Sequence, residues 1–125
     1  MTGAEFLTMR ESLGITAQWV ADELGISLRT VQFWEAERSA VPDRAGTLLA
    51  AIDSAIEATV DDVLRSARNT DGQVYSLPRY KDEASISATY PRLVNHAAKT
   101  QGVMLARAAR ALAAVGIQPQ IRWGD

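Results

Sequence analysis

Leu28, Arg29, Gln32 and Phe33 fall within one stretch of six residues. If Val31 and Trp34 form the inward face of a helix, one turn apart, these four point the other way. Their types suit the edges of nucleic-acid bases. A guanidinium forms a forked pair with guanine O6 and N7, a carboxamide does the same with adenine, and apolar side chains press on the thymine methyl group. Each good bidentate contact discriminates between bases by about 1–3 kcal/mol. The competing reading packs Leu28 and Phe33 inside the fold and leaves Arg29 and Gln32 merely solvated. Gln18, Thr30, Arg38 and Arg44 are the candidates for phosphate contacts, together with backbone amides at the start of the helix that carries Gln18. Taken singly, each is equally well an ordinary surface residue. Glu35 would repel phosphate, so it is expected to make an internal hydrogen bond that fixes the turn after this helix.

The elements needed to present these residues are written in the preceding sequence. Thr2-Gly3-Ala4-Glu5 is a capping box opening a first helix through Phe6, Leu7, Arg10 and Leu13, with Gly14 as its stop. Thr16 caps a second helix with Val20, Ala21 and Leu24 on its inner face, aided by Trp19. Gly25 supplies a left-handed turn and Ser27 caps the third helix. Ala21 is small enough for two helices to cross closely. With Gly25, Ile26 and Val31 it has the spacing of a helix-turn-helix.

Downstream, Ala45, Leu48, Leu49, Ile52, Ile56, Val60, Val63 and Leu64 recur at steps of three and four, a long amphipathic fourth helix. Its stripe is either a core face or a spine that leaves part of itself for a partner chain. Asn69-Thr70-Asp71-Gly72 marks a break. Val74–Tyr80 is a short strand in which Pro78 demands an edge or a bulge. Residues 82–100 predict one or two short helices separated at Tyr90-Pro91. An alanine-rich helix runs over Val103–Val115, and Gly116 ends it. Ile117, Pro119, Ile121 and Trp123 alternate with polar residues as a strand with one apolar face. The two strands pair with each other or across a two-fold axis. The expected organisation is a DNA-binding domain over residues 1–68 and a small α+β lobe over 73–125.

The totals narrow the function. The 125 residues are 47% hydrophobic and 22% charged, a soluble globular composition, and they include no cysteine. Disulfides and thiolate metal sites are therefore excluded, and a reducing cytoplasm is the expected compartment. No apolar run approaches the length of a membrane span. The net charge of −2 is unusual for a nucleic-acid binder. Residues 1–44 carry seven acids (5, 11, 22, 23, 35, 37, 43) against four arginines (10, 29, 38, 44), a net of −3. Phosphate neutralisation supports much of DNA affinity, so a single copy of this segment is expected to bind weakly. The only histidine, His96, has no cysteine in the chain to accompany it and reads as structural. Asp61-Asp62 and Asp82-Glu83 are adjacent acids that diverge on a helix, and no phosphate loop or nucleophile motif occurs. No enzyme activity, metal or cofactor is expected.

Over roughly residues 4–60 the chain resembles the Xre family of phage-repressor-like helix-turn-helix proteins, which includes the lambda and Cro repressors. Phe33-Trp34-Glu35 followed by Arg38-Ser39-Ala40-Val41-Pro42-Asp43 is similar to the YdiL-like branch, which includes anti-CRISPR-associated repressors. The resemblance implies a mainly α protein with a lambda-repressor-like head, a long fourth helix and a C-terminal dimerisation lobe. It also implies a homodimer on double-stranded DNA that binds an inverted repeat with Leu28, Arg29, Gln32 and Phe33 at the bases. One departure stands out: Glu37 occupies the place where the family usually has glycine. A left-handed glutamate costs on the order of 1 kcal/mol, which predicts a different turn there. Two half-sites about one helical turn apart are also what repressor affinity requires physically. The Val103–Val115 helix and the Ile117–Trp123 strand are the candidate partner surfaces, unless both are internal core. The acidic head suggests a second reading, a protein-binding adaptor or antitoxin.

Overall fold

The structure, a computed structural model, describes residues 1–69, 74–93 and 97–125. The protein is mainly helical, with one small two-stranded parallel sheet. It divides into two compact units, Met1–Asp53 and Ser54–Asp125. Among the described residues, no helix is long and apolar enough to cross a membrane. His96 and Thr70–Gly72 of the expected turn lie outside the described residues.

The first unit holds α1 (Gly3–Ser12), α2 (Ala17–Leu24), α3 (Leu28–Glu35) and the start of α4 (Asp43–Arg68). Each of the first three helices starts where a side chain satisfies an orphan amide. The Thr2 hydroxyl accepts from Glu5 N–H while Glu5 accepts from Thr2 N–H, and Thr16 and Ser27 accept from Trp19 and Thr30. The Thr2 backbone N–H holds the Glu5 carboxyl below its ordinary value. The contribution of this cap is therefore present at neutral pH and lost as pH falls through the folded-state value.

Phe6, Leu13, Ile15, Val20, Ala21, Val31, Trp34, Ala45, Leu49 and Ile52 form the core of this unit. The Phe6 and Trp34 rings meet edge to face at 5.7 Å, a contact worth about 0.5–1.5 kcal/mol beyond its burial. Gly3 is buried where the start of α1 meets the end of α3. A Cβ there would overlap the Trp34 carbonyl oxygen and lie 2.8 Å from Glu37 Cγ.

The second unit holds the rest of α4, β1 (Val74–Arg79), α5 (Glu83–Thr89), a 3-10 turn (Pro91–Leu93), α6 (Ala97–Ala114) and β2 (Gln118–Trp123). The strands pair with each other in parallel, from Val74 opposite Gln118 to Arg79 opposite Trp123. A parallel pair needs a long crossover, and α5, the 3-10 turn and α6 provide it. The helix expected over Val103–Val115 begins six residues earlier, at Ala97. Thr100 and Gln101 in that added stretch are polar yet buried, which breaks the apolar pattern. Gln101 tolerates burial because its amide accepts from Tyr80 N–H at 2.8 Å and donates to Tyr80 C=O at 2.9 Å. The Tyr90 hydroxyl donates to Pro78 C=O at 2.6 Å, and burial raises its pKa, so it stays a donor. Of the α4 stripe, Ala45, Leu49, Ile52, Ile56, Val60 and Val63 are buried, as is Ala67 beyond it, while Leu48 and Leu64 are half-buried.

The packing at Gly3 yields a test against simple helix propensity. Alanine favours helix over glycine, yet Gly3→Ala is expected to destabilise the protein by about 1–3 kcal/mol through overpacking. Urea unfolding measures it; a neutral or stabilising result contradicts the close approach of α1 to α3.

Candidate functional site

α3 is eight residues long, and its orientation follows from what it buries. Val31 is fully buried and Trp34 is 4% exposed. Arg29 and Gln32 are consequently exposed, while Leu28 and Phe33 sit half-buried at the flanks of that face. The competing assignments for these four are therefore divided: the polar pair is exposed to solvent, and the apolar pair is partly covered by the fold. Gly25, at φ 68°, closes α2 and admits the turn into α3.

Glu35 makes the expected internal contact, with a partner the sequence did not single out. Arg10 of α1 donates from Nε to Glu35 Oε2 at 2.8 Å and from Nη2 to Oε1 at 3.2 Å. Its Nη1 also donates to Ile15 C=O at 3.0 Å. Both side chains are about seven-eighths covered, at 13% and 14% exposure. This bidentate pair ties α3 to α1 and to the loop before α2. It also removes Glu35 from the outer face. The available signal was Arg10 lying one turn after Phe6, on the buried side of α1.

Phe33 gathers two of the arginines. The Arg29 guanidinium lies 5.2 Å from the ring centroid and that of Arg38 lies 5.7 Å away. The backbone after α3 folds back on the helix: Glu37 stands at φ 60°, its N–H donates to Trp34 C=O, and Arg38 N–H donates to Phe33 C=O. Glu37 thus takes the left-handed conformation that its side chain disfavours, and the different turn expected there does not occur. Closure of the two carbonyls and the packing of Glu37 against Gly3 override the local preference.

The remaining candidates are more dispersed. Gln18 is exposed at the start of α2, and its amide donates to Asp22 at 2.8 Å. Thr30 is half-buried, with its hydroxyl 2.9 Å from Ser27 Oγ. Arg44 is exposed in the first turn of α4 and takes no part in the Phe33 cluster. Among the described residues no group of His, Cys, Asp and Glu is arranged to hold a metal ion. Asp62 is engaged by Arg92 at 2.7 Å, which lowers its pKa, and Asp82 caps α5. No protein-family model and no curated protein matches the chain.

The left-handed glutamate gives a second test. Glu37→Gly is expected to raise the unfolding free energy by about 1 kcal/mol, since glycine has no Cβ penalty at this φ. A loss of stability in denaturant titration would contradict the cap described.

Proposed function

We propose that the protein is a sequence-specific DNA-binding regulator, a dimeric repressor that reads an inverted-repeat operator with α3. α2 and α3 act as a helix-turn-helix within a lambda-repressor-like head. The observation that carries this reading is the burial of Val31 and Trp34 beside the exposure of Arg29 and Gln32. It leaves a forked donor and a carboxamide on the outer face of a short helix, the arrangement used for major-groove readout. Arg29 and Gln32 contact base edges. Leu28 and Phe33 complete their burial against thymine methyl groups, and Phe33 steers Arg29 and Arg38.

Phosphate contacts fall to Arg38, Arg44, Thr30, Gln18 and the first amides of α2. The charge inventory is compatible with this. Once Arg10 and Glu35 neutralise each other, the three remaining arginines of residues 1–44 are Arg29, Arg38 and Arg44. They lie in α3, in the segment after it and in the first turn of α4, respectively. Six acids remain against them, so one head binds weakly and two half-sites are needed.

The same acidity favours a second reading, an adaptor or antitoxin whose head docks on protein. Salt dependence separates the two. For the regulator, affinity for duplex DNA measured by fluorescence anisotropy falls steeply as salt rises. For the adaptor, no duplex is retained even at low salt. Within the first reading, Arg29→Ala relaxes preference at one operator base pair, at a cost of about 1–3 kcal/mol on the preferred sequence. Arg38→Ala weakens all sequences alike and lowers the salt slope by about one. Uniform weakening by Arg29→Ala would reassign that residue to phosphate.

A further inference from the structure

A cleft of about 300 Å³ opens in the second unit between α4, the edge of β1 and residues 89–92. Side-chain size explains why it is there. Ser66 of α4, Ser76 of β1 and Thr89 at the end of α5 are small where a leucine would close the gap. The apolar part of the wall comes from Val63, Leu77, Pro78 and Tyr90. The Tyr90 hydroxyl donates to Pro78 C=O at 2.6 Å, which fixes this wall in the chain by itself. A mostly apolar concavity of this size with a few polar groups is the usual form of a small-molecule site.

The polar groups of the cleft favour one sign of charge. Among the described residues that line it, Asp62 is the only acid and Arg92 the only base. Arg92 donates from Nε to Asp62 at 2.7 Å, and Arg65 donates to the same carboxylate at 3.1 Å. Two guanidiniums thus share one carboxylate, which leaves a surplus of one positive charge at the rim. A cation entering the cleft finds Asp62 already claimed, whereas an anion finds donors to spare. Arg92 Nη1 takes no part in the pair with Asp62. The backbone adds a second donor. Gly124 N–H donates to Arg79 C=O with Arg79 opposite Trp123, so by the alternation of a parallel ladder Ser76 turns its N–H away from β2. That N–H has no partner among the described residues.

We propose that this cleft binds a small aryl monocarboxylate, its ring against Leu77, Pro78 and Tyr90 and its carboxylate on Arg92, with the Ser76 N–H as a further donor. The class follows from the two halves of the site. A guanidinium with an unused edge pairs with a carboxylate through charge-assisted hydrogen bonds. A flat apolar body suits a wall of tyrosine and proline rings. A sugar or sugar phosphate would bury hydroxyls against that wall without partners, which is costly. An uncharged aromatic would leave the surplus charge at the rim unanswered. The site belongs to the second unit alone and stands whether or not α3 reads DNA.

The test is an NMR titration of the isotope-labelled full-length chain with benzoate, phenylacetate and naphthoate. At least one of them is expected to give saturable amide shifts centred on Ser76, Leu77, Tyr90 and Arg92. Acetate, which has the head without the body, and the corresponding carboxamide, which has the body without the charge, are each expected to bind about tenfold more weakly or not at all. Arg92→Gln is expected to weaken binding about tenfold, the weight of one charge-assisted hydrogen bond, with the helical far-UV spectrum retained. Ser66→Trp, at a solvent-exposed position, fills the cleft and is expected to abolish the shifts. The proposal is overturned if none of the three acids gives saturable shifts at the cleft, if the carboxamide binds as tightly as its acid, or if either variant binds as the wild-type chain does.

Discussion

The inner face of α3 is the constraint on which the rest of the first unit depends. An eight-residue helix is too short to hold itself together in water, so its existence and its rotation are both set by what it packs against. Val31 and Trp34 fix the rotation, the Phe6 ring braces Trp34 from the side, and the Arg10–Glu35 pair locks the helix to α1. Gly3 allows the backbones of α1 and α3 to close on one another. Rotating α3 by one residue position, about 100°, would bury a guanidinium or carboxamide and expose an indole. Both changes are costly.

The electrostatics follow from the same packing. Burying Glu35 with Arg10 cancels one charge of each sign and clears the acid from the face that carries Arg29. Phe33 then gathers two guanidiniums beside a half-buried aromatic ring. An overall negative unit can in this way present a locally positive, partly apolar patch. Glu37 works against it, adding an acid next to Arg38 and a left-handed backbone. On the reading proposed above, that cost is one reason a single head has modest affinity and a dimer is required.

Much of the first unit was legible in the sequence because its signals are local. Thr2, Thr16 and Ser27 are caps that act within three residues, Gly25 makes a turn by itself, and Val31 with Trp34 shows helical spacing. What escaped is non-local. Arg10 and Glu35 are 25 residues apart, and nothing in either neighbourhood names the other. At Glu37 the sequence shows a cost and not the conformation, because the close approach of Gly3 that helps hold the left-handed backbone joins residues far apart in the chain. In the second unit, buried Gln101 interrupts the apolar pattern and depends on the distant Tyr80 backbone for its partners, so the helix expected from Val103 begins unannounced at Ala97. The apolar alternation of β2 predicted a strand. Its parallel partner depended on a crossover that no local pattern encodes.

The most direct measurement of the central claim is selection of bound duplexes from a random pool at low salt. If α3 reads bases with Arg29 and Gln32, the recovered sequences converge on an inverted repeat with half-site centres about 10 base pairs, or a multiple of that spacing, apart. Recovery of no shared sequence, or of no DNA at all, would contradict the account.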